Sequence, residues 1–124
     1  MIDFNNSALV KLRAVDLKEF QPLVAPFLVD GEQILGSFKG LRDGVVMTNR
    51  RIICINIQGL TGKKKDFTSI PYSKIQAFSI ETSGVLDLDS ELEFYISGVG
   101  KVTLEFTSGT NTNEICRLLS ALVL

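Results

Sequence analysis

The chain contains no histidine. That excludes Ser-His-Asp and Cys-His nucleophilic machinery and every zinc site with a histidine ligand. Cysteine is nearly absent too: Cys54 lies in an Ile-rich run and Cys116 on an expected helix face, with no Cys-x-x-Cys spacing. Both read as small buried hydrophobes rather than a redox pair. No long apolar run exists, since Leu23 to Val29 and Leu118 to Leu124 fall far short of the roughly 20 residues of a membrane-spanning helix. Charge excess is missing as well: 13 Lys+Arg face 14 Asp+Glu, a net charge of -1, which argues against a general affinity for nucleic acid or anionic lipid. The opening Met1-Ile2-Asp3-Phe4-Asn5-Asn6 has neither a basic nor an apolar targeting region, so a cytoplasmic protein is expected. With 124 residues, 45% hydrophobic and 22% charged, the chain fits a single domain whose core needs neither disulfide nor metal.

Residues 1–30 are helical in character. Ser7 or Asn6 can cap a segment carrying Leu9, Leu12, Leu17 and Phe20 near helical spacing, and Asp16 with Glu19 offers a second start. Pro22 and Pro26 remove backbone donors, so any helix must kink or end near them. A short helical N-terminal arm is therefore expected, its apolar residues covered by the domain's own sheet or by a neighbouring subunit.

Over residues 31–107 the apolar period becomes two. Seven strands are expected: Ile34 to Lys39, Val45 to Thr48, Arg51 to Ile57, Lys65 to Ile70, Ile75 to Thr82, Leu86 to Ile96 and Lys101 to Phe106. Glycine-containing turns such as Lys39-Gly40-Leu41-Arg42-Asp43-Gly44 separate them, which implies antiparallel hairpins in a sandwich or barrel. The third strand is apolar on both faces, Ile53, Ile55 and Ile57 against Ile52 and Cys54, and wants cover on both. In the sixth, Leu86, Leu88, Leu92, Phe94 and Ile96 oppose Asp87, Asp89, Glu91, Glu93 and Tyr95, so one face is core and the other wet. Residues 111–124 form an amphipathic helix: Asn111 and Glu114 resemble a capping box ahead of the stripe Ile115, Leu118, Leu119 and Leu122.

Charge is unevenly placed. Lys39 to Lys74 holds eight basic residues against two acidic ones, whereas Gln76 to Gly100 holds five acidic residues and no basic one. Solvated faces would account for most of these charges. A head-to-tail ring, however, needs two unlike complementary surfaces, which a basic and an acidic segment supply. Lys63-Lys64-Lys65 could alternatively attract an anionic lipid headgroup or phosphate. Gly59-Leu60-Thr61-Gly62-Lys63-Lys64 lacks the spacing and the Ser or Thr of a phosphate-binding P-loop. Asp87, Asp89 and Glu91 would project in parallel from a strand, about 6.6 Å apart, without the glycine turn that converges calcium ligands. No catalytic, cofactor-binding or metal-binding residue emerges, and no enzyme is expected. The interface candidates are Arg50, Arg51, Ile53, Lys63, Lys64, Asp87, Asp89, Glu91, Glu93 and Tyr95. Arg51 could form an ion pair with a carboxylate of an adjacent strand or protomer.

Arg42-Asp43, Thr48-Asn49-Arg50-Arg51-Ile52-Ile53, Gly59-Leu60-Thr61-Gly62-Lys63-Lys64, Ser69-Ile70-Pro71-Tyr72, Phe78-Ser79-Ile80-Glu81-Thr82-Ser83-Gly84 and Asp87-Leu88-Asp89-Ser90-Glu91-Leu92 together resemble the bacterial pleckstrin-homology-like (PH-like) domain family over Asp30 to Leu124. The resemblance implies a mainly β fold: a PH-like barrel of seven antiparallel strands closed by a C-terminal helix. It also implies no catalysis and no cofactor, assembly of single-domain members into closed, apparently five-fold rings, and a hydrophilic surface where strands of adjacent protomers meet, proposed to bind protein partners. The long C-terminal helical hairpin of some members has no counterpart here, so larger rings are less expected.

Overall fold

The computed structural model describes residues 1–4, 9–81 and 89–124. Its strands are β1 (Leu9–Val15), β2 (Ile34–Lys39), β3 (Gly44–Thr48), β4 (Arg51–Gln58), β5 (Lys64–Pro71), β6 (Ile75–Glu81), β7 (Ser90–Ile96) and β8 (Gly100–Phe106). They form one sheet in the order β5-β4-β3-β2-β1-β8-β7-β6. Two helices accompany it, the single turn α1 (Gln21–Val24) and the longer α2 (Thr112–Val123).

The seven expected strands are β2 to β8, with Thr82 of the fifth and residues 86–88 of the sixth outside the described residues. The eighth corrects the reading of the first thirty residues. Leu9 and Leu12 sit three apart, as on a helix, but a register shift between them keeps both side chains inward while Val10 and Lys11 face out. Lys11 carries the irregularity at φ 54°, a left-handed value unusual for a non-glycine residue. The bulge thus mimics helical spacing on a strand. β1 pairs antiparallel with β2 and parallel with β8, so the sheet is mixed rather than wholly antiparallel. Only α1 and a 3-10 turn at Ala25–Phe27 remain of the expected arm helix, with Pro22 and Pro26 at their starts, where a missing N–H is harmless.

Two cores result. Leu12, Phe38, Val45, Met47, Ile52, Cys54, Leu92, Phe94, Leu104 and Phe106 pack inside the bent sheet, and Ile115 and Leu119 of α2 close that core. The Asn111 side chain caps α2, accepting from the Glu114 amide at 3.1 Å. On the outer face, Phe20 and Val24 cover Val46, Ile53 and Ile55. The strap formed by residues 16–30 therefore covers this chain's own sheet and supplies the second cover that β4 demands. Gly44 makes the fit tight: a Cβ there would meet three atoms of the Phe20 ring within 3.0 Å. Cys54 is fully buried, and burial pushes its thiol up to about 12; Cys116 is half-buried on α2. No helix of the described residues is long and apolar enough to cross a membrane.

Candidate functional site

The acidic surface is built by the outer faces of β6, β7 and β8. Cross-strand register sets Glu81 opposite Glu91 and Glu91 opposite Glu105, then Ser79 opposite Glu93 and Glu93 opposite Thr103, then Ala77 opposite Tyr95 and Tyr95 opposite Lys101. Three carboxylates in one row repel one another, and like charges placed opposite are destabilising. Relief is slight: Lys101 approaches Glu93 at 3.8 Å from the neighbouring row. Asp89 is exposed just before β7, Glu91 and Glu93 are half-buried, and Tyr95 is exposed. Asp87 lies outside the described residues.

The basic surface is the β4–β5 hairpin. Lys63, Lys64 and Lys65 are all exposed, and none forms an ion pair among the described residues. The turn is fixed by Gly59 and Gly62, both at positive φ, and by Arg42, whose guanidinium donates to the Gly59 carbonyl from the β2–β3 hairpin. Leu60 at this tip is fully exposed and Leu41 at the neighbouring tip is 80% exposed. Sequence reading missed both, although each apolar residue stands directly after a turn glycine.

Arg50 and Arg51 serve a different purpose. Glu32, just ahead of β2, accepts two bonds from the Arg51 guanidinium, Nε to Oε2 and Nη2 to Oε1, both at 2.9 Å. The Thr48 hydroxyl donates to the same carboxylate at 2.7 Å and the Val29 amide at 3.1 Å. Burial pushes the Glu32 carboxyl upward, but these bonds and the Arg51 charge outweigh it and hold the pKa at about 2. Arg51 also donates to Ser69 Oγ and the Phe27 carbonyl, and Arg50 to the Asp30 carbonyl. Behind this cluster the buried Tyr72 hydroxyl donates to the Thr48 carbonyl at 2.7 Å, its pKa raised by burial and by the Glu32 charge. The arginines thus clamp the end of the strap to the β3–β4 turn. The carboxylate partner of Arg51 lies within the chain, on a residue to which the sequence alone assigns no role. Ile53, 1% exposed beneath the strap, is absent from the protomer surface.

The lysine hairpin and the acidic face are not brought together. β5 ends the sheet on one side and β6 on the other, and no ion pair among the described residues joins the two regions.

A bent sheet closed at one end by a C-terminal helix, with its charged regions on strand faces and hairpin tips, defines a PH-like domain. The chain belongs to the bacterial PH domain family, whose profile matches residues 3–123. It is 43% identical over 103 residues to the uncharacterized protein YjqA of Bacillus subtilis (strain 168), covering 82% of each chain. Among solved structures it is similar to a pleckstrin-homology-domain protein of Shewanella loihica PV-4, with a TM-score of 0.82, 35% identity, and 93% and 99% of the two chains covered. The pleckstrin homology domain of Shewanella amazonensis SB2B gives a TM-score of 0.70 at 36% identity, covering 96% and 93%.

Proposed function

We propose that this chain is a non-enzymatic PH-like interaction module that self-assembles head to tail into a closed cyclic homo-oligomer, five-fold as the family resemblance implies, and offers a hydrophilic surface to a protein partner. The observation that carries this reading is the separation of unlike charge: the lysine hairpin and the Glu81–Glu91–Glu105 row lie toward opposite edges of one sheet. A second copy supplies what the first lacks, the basic hairpin of one protomer facing the acidic strands of the next. Such a contact is heterologous and closes if its rotation allows. Native mass spectrometry at low and moderate salt tests it. A single discrete oligomer is expected, lost on reversing Glu91 and Glu93 to lysine and recovered when Lys63 and Lys64 are reversed as well; a salt-independent monomer refutes the assembly.

The two exposed leucines support a second reading. Leu41 and Leu60 project from adjacent hairpin tips beside Arg42 and Lys63 to Lys65. Apolar tips ringed by basic groups suit a peripheral site on an anionic lipid surface, at about 1 kcal/mol per basic residue. Co-sedimentation with phosphatidylglycerol vesicles but not with phosphatidylcholine, abolished by Leu60→Ser, is the outcome this reading requires.

A further inference from the structure

We propose that the pocket between the free edge of β5 and the strap binds the carboxylate of a compact aromatic acid, either a free acid or the carboxyl-terminal residue of a peptide. Cross-strand register puts its walls on one face of the sheet: Arg51 stands opposite Pro71, Ile53 opposite Ser69, Ile55 opposite Phe67 and Ile57 opposite Lys65. Ser69, Phe67 and Lys65, two residues apart along β5, therefore point the same way as Arg51 and Ile53, on the face that the strap covers. Phe27 of the strap completes the enclosure. Its ring packs on the Phe67 ring with centroids 4.8 Å apart, and its carbonyl accepts from the Arg51 guanidinium at 2.7 Å. β5 ends the sheet, so no further strand closes the space on that side. The space is about 290 Å3, room for roughly nine waters at about 30 Å3 each.

Two donors meet at one end of this space. Arg51 Nη1 donates to Ser69 Oγ at 3.1 Å. Glu32 and the Phe27 carbonyl take the protons of Nε and Nη2, which leaves Nη1 a second N–H beside Ser69. The Ser69 hydroxyl accepts from Arg51 and has no acceptor for its own proton among the described residues. A carboxylate suits two adjacent donors, one oxygen to each. Glu32 already neutralises Arg51, so the net charge comes from Lys65, which is exposed and in no ion pair among the described residues. Asp66, the acidic residue of the wall, alternates with Lys65 and Phe67 and so directs its carboxylate to the other face, where the Thr68 hydroxyl donates to it at 2.8 Å and the Met1 ammonium pairs with it at 2.9 Å. The pocket therefore favours an anion over a cation, and Phe27, Ile53 and Phe67 offer an apolar bed for an aromatic ring. Of these groups only Lys65 is among the lysines invoked for assembly and for lipid contact. All of them lie within one protomer, so the proposal holds whether or not the chain assembles.

Proton–nitrogen correlation spectra of the full chain, titrated with hydrocinnamate, its neutral amide, phenethylamine and the peptide acetyl-glycyl-glycyl-phenylalanine, test the proposal. Hydrocinnamate is expected to shift the amides of Phe27, Ile53, Phe67 and Ser69, and the neutral amide and phenethylamine to leave them in place. Ser69→Ala weakens binding about three- to tenfold and Lys65→Gln about two- to fivefold, while both variants keep the parent spectrum elsewhere. Tighter binding of the peptide assigns the site to a carboxyl-terminus, and tighter binding of hydrocinnamate to a free acid. An equal response to the neutral amide or to phenethylamine, shifts confined to Lys63 and Lys64, no shift at all, or unchanged affinity in both variants overturns the proposal.

Discussion

Glu32 illustrates how a single side chain ties two segments together. Its carboxyl falls from an ordinary 4.5 to about 2 on folding. A pKa depressed by folding contributes stability that is complete above about pH 4.5 and drains away as the pH falls toward 2. The shift corresponds to about 3 kcal/mol. Glu32→Gln leaves Arg51 without its charge partner and is expected to lower the unfolding free energy by about 3 kcal/mol at neutral pH, measured by urea denaturation. The variant should also lose much of the acid-side slope; a parent-like slope would assign acid sensitivity to other carboxylates. Ser37 is the opposite case. Its unpartnered hydroxyl opposes folding, so Ser37→Ala is expected to stabilise the protein by about 1 kcal/mol, a rise of about 4 °C in a thermal melt. A lower Tm would mean that the hydroxyl is paired in solution. Neither role was legible in the sequence, because a lone Glu beside Asp30-Gly31 and a Ser on an alternating strand look like any solvated residue. Burial and pairing are set by segments far away in the chain.

Among the elements, alternation located β2 to β8 because a sheet with one buried face imposes a period of two on its residues. The same reasoning saw that β4 needs cover on both sides, and the strap provides it. β1 escaped notice because the bulge at Lys11 gives Leu9 and Leu12 the spacing of a helix. Only its position between β2 and β8, which satisfies edges that would otherwise stay open, makes it a strand. The strap's seat on β3 is the most demanding element contact. Gly44→Ala would drive a methyl into the Phe20 ring and is expected to destabilise the fold by about 1–3 kcal/mol. Combining it with Phe20→Leu should return part of that loss, a non-additivity that a double-mutant cycle measures; strict additivity would show that the strap can shift to accommodate the methyl. At the C-terminus the sequence was sufficient, since the Asn111 cap and the stripe of α2 are local features. Asn111→Ala should cost about 1 kcal/mol.

For the whole molecule, the sheet order decides the electrostatics. Basic and acidic stretches adjacent in sequence could have neutralised each other within one chain, but the order β5-β4-β3-β2-β1-β8-β7-β6 puts them on strands at the two ends of the sheet order, and no ion pair among the described residues joins them. An assembly held by these charges should loosen with salt, because exposed pairs are screened over about 8–10 Å at physiological ionic strength. Sedimentation velocity at rising ionic strength is expected to shift the population from the closed oligomer toward the protomer; a salt-insensitive oligomer would assign the contact to apolar surface instead.

What is local and periodic is written in the residues alone: seven strands, the capped final helix, the absence of histidine chemistry and the partition of charge along the chain. Which segments meet is settled by long-range packing. It turned a helical pattern into β1, laid the strap over the chain's own sheet, buried Ile53, joined Glu32 to Arg51 and left the lysine hairpin and the carboxylate row without an ion pair between them among the described residues. Periodicity reports the face that a residue turns to the core, but the partner opposite that face is chosen by packing between positions distant in sequence, which no local pattern encodes.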